Sequence, residues 1–240
     1  MNNNHPPAGA TPARIKAYLV HLYTASTTVV LLLSTLFLLE GQLTAALFAL
    51  LFCIVIDGTD GILARRYNVK KHVPEVDGRA MDDVIDFVAY AFLPVLFMVK
   101  AEMLLDPVLF FGSLPLLASA FGFARVNIKL DDEGFFVGFP SYWNLLVAYL
   151  YLVSAPPWFN TIAVIVLAIL VFVPTRYIYI TRFPHHRNLH LAAAVVSGIM
   201  LLGAIVVGGT ARIPLVLISL IYPLFYVIYS LRLDRAARSG

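Results

Sequence analysis

The chain has 240 residues, of which 60% are hydrophobic and only 13% charged, and its mean hydropathy is +0.85. Soluble domains carry about a quarter charged residues, so this composition excludes a soluble globular fold as well as disordered and collagen-like chains. Cys53 is the single cysteine, which excludes a disulfide scaffold, and a net charge of +3 is too small to indicate a nucleic-acid partner.

Taken in chain order, residues 1–12 read as a loose tail around His5, Pro6 and Pro7, with no basic segment of the kind that opens a cleaved signal. A membrane-spanning helix needs roughly 20 mostly apolar residues. Runs at 17–39, 41–64, 80–99 and 107–124 meet or approach that length, the second only if its helix continues through Asp57 and Asp60. The charge-free stretch 134–175 is divided by Pro156 and Pro157, which together break a helix and make two spans. Runs at 188–211 and 213–231 complete the series. The expectation is an all-α, polytopic integral membrane protein of about eight transmembrane helices, with one transmembrane domain over 13–232 and a cytoplasmic tail over 233–240. Lys and Arg are retained on the cytoplasmic side of short loops. With the N-terminus inside, all of the 17 Lys and Arg residues except Lys100 and Arg212 fall on the inner side, which predicts that both termini are cytoplasmic.

The acids are unevenly spread. Half of the 14 acidic residues, namely Asp57, Asp60, Glu75, Asp77, Asp82, Asp83 and Asp86, lie between positions 57 and 86. An ionisable group in a membrane helix costs at least about 2.5–3.5 kcal/mol, so burying several requires compensation, and bound cations supply it. Asp57 and Asp60 are three apart and Asp82 and Asp86 four apart, so each pair projects from one face of its helix. Two facing helices then offer four carboxylates to one pocket. Gly61, Ala64 and Gly78 leave room beside them, although small residues also serve simply to let helices approach closely. An all-carboxylate set suits Mg²⁺, Mn²⁺ or Ca²⁺, and no Cys/His set for zinc is present. Intramembrane carboxylates also mark ion pathways, so a divalent-cation or cationic-solute transporter is the rival of another class.

The pattern Asp57-x-x-Asp60-Gly61-x-x-Ala64-Arg65, then twelve residues, then Gly78-x-x-x-Asp82-x-x-x-Asp86 resembles the signature of the CDP-alcohol phosphotransferases, integral membrane enzymes of phospholipid synthesis. The twelve-residue gap is longer than is usual in that family and is similar to that of its bacterial members that use free choline, as are the segments Asp57–Gly61, Gly138–Asn144 and Pro174–Tyr177. The resemblance implies a helical bundle of that family's kind in the bacterial inner membrane, homodimeric, with its active site at the cytoplasmic face. It implies transfer of a phosphatidyl group from CDP-diacylglycerol to an alcohol with release of CMP. Asp57, Asp60, Asp82 and Asp86 would hold two divalent ions, Mn²⁺ or Mg²⁺, with Asp86 as general base for the acceptor. Asp57, Gly61, Ala64, Arg65, Gly78 and Arg125 would bind CDP-diacylglycerol.

A quaternary ammonium such as choline is held by aromatic faces. Tyr90 extends the stripe of Gly78, Asp82 and Asp86 by one turn, and Tyr142 and Trp143 open the fifth span, so these three are the choline-binding candidates, although an aromatic near an interface is more often a membrane-belt residue, a role that needs no ligand. Asp83 would complement the cation, with Asp132 and Glu133 as further acids. Arg125 and Arg176 suit an acceptor phosphate or lipid phosphates, which keeps serine, ethanolamine and polyol phosphates as rival acceptors. On the first helix Tyr18, His21 and Thr24 share a face that could turn to the cavity, although a lone His21 is more often an internally hydrogen-bonded polar residue.

Overall fold

The protein is described by a computed structural model covering residues 11–125, 129–130 and 134–239. The tail expected before residue 11, Asp132 and Glu133 lie outside the described residues. Helix dominates. Thr11 caps helix α1 (Pro12–Leu39) by accepting from the Arg14 N–H, with Pro12 at the first helical position. Gly41, at φ +76°, ends it in the left-handed conformation that lets Gln42 N bond Phe37 O at 2.8 Å, and the chain reverses into α2 (Leu43–Arg66). Ser34 Oγ on α1 donates to Ala46 O on α2 at 2.7 Å, tying the two together.

The twelve residues after Arg65 are not slack. Asn68 turns the chain at φ +47° into the single turn α3 (Val69–His72), whose Val69, with the neighbouring Val73, packs against Ala17 and Val20 of α1 and against Ala64. Asp77 then caps α4 (Gly78–Phe87), accepting from Arg79 N at 3.0 Å and Ala80 N at 3.1 Å. The helix runs on through a π-helical turn, Val88–Phe92, into α5 (Leu93–Lys100). Pro94 explains the turn: it has no N–H for the carbonyl of Tyr90, and Leu93 N instead bonds Val88 O five residues back.

Helix α6 (Val108–Ala124) leads towards a small antiparallel sheet in the order β1 (Lys129–Leu130), β2 (Phe135–Val137), β3 (Arg176–Ile178). Between β2 and β3 lie α7 (Trp143–Leu152) and α8 (Pro157–Phe172); Pro156 is the N-cap of α8, so the proline pair breaks the chain there. Helices α9 (Arg187–Val207) and α10 (Arg212–Ser239) close the fold as an antiparallel pair. One stripe of α10 seals the open edge of β3: Ser230 Oγ accepts from Ile178 N, Asp234 Oδ1 accepts from Arg176 N, both at 3.1 Å, and Tyr226 donates to Ile178 O at 3.0 Å.

Among the described residues four helices are long and apolar enough to cross a membrane: α1, α2, α9 and the helix that includes α10. The span expected at 80–99 falls on the continuous run of α4, the π turn and α5, and the other three are helical but short, with 17 residues in α6, 10 in α7 and 16 in α8. The count of eight therefore goes beyond what helix length supports. At 134–152 the reason is plain, since β2 and the turn after it use the residues that a full span would need. The exterior is apolar in the manner of a membrane protein, with Leu22, Val29, Leu109, Phe121, Val195 and Val206 all exposed.

Tyr18 donates to Glu75 Oε1 at 2.6 Å and Arg14 pairs with the same carboxylate, which braces α1 against the loop before α4. The Tyr18 hydroxyl, and more weakly the Arg14 guanidinium, hold the Glu75 carboxyl below its ordinary value of 4.5. A depressed carboxyl pKa adds stability above the unfolded value, and that stability is lost as pH falls through the folded one. The difference in thermal midpoint between wild type and Glu75→Gln in detergent should be constant above about pH 5 and shrink as the pH falls below the ordinary carboxyl value. A difference independent of pH would refute the brace.

Candidate active site

The acids reach one place because two helices carry them at helical spacing. Asp82 and Asp86 sit one turn apart on α4, Asp57 faces them from α2, and one carboxylate oxygen of each lies within 4.8 Å of the others. All three are half-buried. Like charges so close favour a divalent cation between them, and an all-oxygen carboxylate donor set is the chemistry that Mn²⁺ or Mg²⁺ requires. The residues therefore fit a divalent metal. Asp60 is not in this trio. It is buried one turn further along α2 and accepts from Thr24 Oγ1 of α1 at 2.9 Å.

The small residues and Arg65 surround this core. The Arg65 guanidinium folds back so that Nη1 would lie 3.4 Å from a Cβ on Gly61. Ala64 packs against the cluster of Ala17, Val20, Val69 and Val73. A Cβ on Gly78 would lie 2.9 Å from His21 Cε1, so the His21 ring occupies the space that the glycine leaves. His21 Nε2 is buried with no hydrogen-bond partner among the described residues. Tyr18, His21 and Thr24 thus all face the segment that carries the acids.

The aromatic candidates separate. Tyr90 lies in the π turn, buried, and its hydroxyl donates to Asp57 Oδ2 at 2.5 Å. The Tyr142 ring is 6.2 Å from that of Tyr90 and 6.5 Å from that of Tyr226 on α10, so three tyrosines from three parts of the chain stand in a row beside Asp57. Sequence reading missed Tyr226, whose only signal is the polar stripe it shares with Ser230 and Asp234. Trp143 goes elsewhere. It is 0% exposed, its indole N–H donates to Ser119 Oγ at 2.7 Å, and Phe139 packs on its ring edge-on at 5.4 Å, so it has no open face to offer a ligand. Asp83 lies 4.0 Å from Arg79, and both line a small cavity with Phe123, Arg125 and Ser141. Arg125 also donates to Val171 O at 3.4 Å.

No family model matches the chain. It is 35% identical over 206 residues to the phosphatidylcholine synthase of Pseudomonas aeruginosa, covering 85% of each chain. It is 33% identical over 186 residues to the phosphatidylcholine synthase of Borreliella burgdorferi, covering 76% of this chain and 78% of that one. The phosphatidylcholine synthase of Legionella pneumophila is 33% identical over 171 residues, 70% of this chain and 67% of that one.

The contact between Gly78 and His21 is open to a direct test. Gly78→Ala forces a methyl group into the imidazole ring, and such overpacking should cost about 1–3 kcal/mol of stability. Removing the ring with His21→Ala in the same chain should recover part of that loss, giving a coupling of at least about 0.5 kcal/mol in a double-mutant cycle of thermal midpoints. Strictly additive effects would mean that the two residues do not meet.

Proposed function

The chain belongs to the phosphatidylcholine synthase family, and on that premise we propose that it transfers the phosphatidyl group of CDP-diacylglycerol to choline, giving phosphatidylcholine and CMP. The observation that carries this reading is the carboxylate trio of Asp57, Asp82 and Asp86, with one oxygen of each within 4.8 Å of the others. In this reading Asp57, Asp82 and Asp86, joined by Asp60, hold divalent ions, Mn²⁺ or Mg²⁺, whose charge would offset that of the donor's diphosphate. Arg65, Gly61, Ala64 and Gly78 bound the space for the cytidylyl half of the donor. Arg65 and Arg125 supply the planar, multiply donating groups that suit its phosphates.

Asp86 is the general base. As the choline oxygen bonds to the phosphorus of the phosphatidyl group, its proton passes to the Asp86 carboxylate, and the bond from that phosphorus to the bridging oxygen breaks. The bridging oxygen and its electron pair leave with CMP. An alcohol is a far weaker acid than a carboxylic acid, so the proton moves only as the new bond forms. Choline cannot donate a hydrogen bond from its nitrogen, and the ring faces of Tyr90, Tyr142 and Tyr226 suit it. The inward bias of Lys and Arg supports a site at the cytoplasmic face of a bacterial inner membrane, with both termini on that side.

Purified protein in CDP-diacylglycerol micelles with Mn²⁺ should release CMP when given choline, and not when given serine, ethanolamine or glycerol phosphate. Asp86→Asn should lower that rate by about 10²–10⁴-fold. Release with another alcohol would overturn the acceptor, and no release from folded protein would overturn the transferase reading. Tyr226→Ala should raise the choline KM by about tenfold, equivalent to about 1.4 kcal/mol, while the KM for CDP-diacylglycerol stays near wild type. An unchanged choline KM would remove α10 from the acceptor site.

A further inference from the structure

The hydroxyl of Tyr90 has a place that an aromatic face does not need. Tyr90 lies beyond Asp86 on the same continuous helix, in the turn where the ladder opens from α to π because Pro94 cannot donate to it. From there the phenol reaches across to the other acid-bearing helix and donates to Asp57 Oδ2 at 2.5 Å. Its residue is only 7% exposed, and the ring of Tyr142 stands 6.2 Å away. A buried donor on one helix, bonded to a carboxylate on the other, fixes how that carboxylate is turned. π turns of this kind recur at functional sites because they re-aim one side chain without ending the helix.

We infer that the Tyr90 hydroxyl is a positioning group for the metal centre, holding Asp57 in the orientation in which it joins Asp82 and Asp86. The inference rests on the metal reading of the carboxylate trio and assigns the hydroxyl a task separate from any the ring has towards choline. A hydrogen-bond donor to a ligating carboxylate orients it before the ion arrives, and losing such an outer partner typically weakens metal binding by about 10–100-fold. Removing the hydroxyl alone therefore acts on the metal. Removing the ring acts on the acceptor.

Tyr90→Phe keeps the ring and deletes the donor. Purified wild type, Tyr90→Phe and Tyr151→Phe are titrated with Mn²⁺ without substrates, following the paramagnetic resonance signal of the free ion, with thermal midpoints recorded in the absence of metal. Tyr151 is a control tyrosine on α7 that packs against Phe97 with ring centroids 5.2 Å apart. The expected result is a loss of about 10–100-fold in Mn²⁺ affinity for Tyr90→Phe and none for Tyr151→Phe. In turnover, Tyr90→Phe should need more Mn²⁺, regain its rate when Mn²⁺ is saturating, and keep the wild-type choline KM. Wild-type Mn²⁺ affinity in Tyr90→Phe overturns the inference, as does an equal loss in both variants. Absence of Mn²⁺ binding by folded wild type overturns the metal reading itself, an outcome distinct from either of those.

Discussion

Carboxylates held a few ångströms apart repel, and the architecture around residues 57–86 follows from managing that repulsion. At 4.8 Å two unit charges oppose each other by roughly 3 kcal/mol even at an effective dielectric of 20. Three such pairs within a helical membrane protein cannot stand without partners. Within the trio the Tyr90 hydroxyl donates to Asp57, while beside it the Thr24 hydroxyl donates to Asp60 and the Arg65 guanidinium folds back over Gly61. Helix α1 is the template for this arrangement. Arg14, Tyr18, His21 and Thr24 lie three or four residues apart and share one face. In turn they meet Glu75 twice, then Gly78, then Asp60. One helix face thereby sets the register of both acid-bearing helices.

The second half of the chain solves a different problem. Its three-stranded sheet is too small to be stable alone, and the outer edge of β3 would leave backbone donors without partners. Tyr226, Ser230 and Asp234, each four residues after the last, present a polar stripe on an otherwise apolar helix and bond that edge. Arg238 extends the stripe by one more turn and pairs with Asp234 at 2.9 Å. The bond that Tyr226 makes to Ile178 also fixes where its ring lies, beside Tyr142 and so in the row that ends at Asp57. The sheet thus bears on the site through α10.

These two halves were not equally legible. The acid spacing is a local property, since residues three or four apart share a helix face wherever the helix sits, and Asp82 and Asp86 could be read directly. So could the break at Pro156 and Pro157, which depends on a missing N–H and a ring clash in the same few residues. Strands of two or three residues carry no alternation to read, so β1, β2 and β3 left no mark, and the helix expected before residue 152 came out shorter than a span. Tyr142 and Trp143 looked alike because they are adjacent, but Tyr142 is the non-helical N-cap and Trp143 the first residue of α7, so their side chains leave in different directions and Trp143 went to Ser119 instead. The place of Tyr226 depends on packing between distant segments, which no local pattern encodes.

That contrast says something about how such a site is built. Its carboxylates come from one continuous hairpin braced by α1, so the cluster is assembled largely by contacts near in sequence. Its aromatic row is drawn from the π turn, the start of α7 and the middle of α10, and exists only when the two halves of the chain are packed together. Tyr90 belongs to both: its hydroxyl is bonded within the hairpin, while its ring is the first of the row. A change in the surroundings of α10 can therefore alter the aromatic row without disturbing the carboxylates. A change at Tyr90 reaches both, through two parts of one side chain.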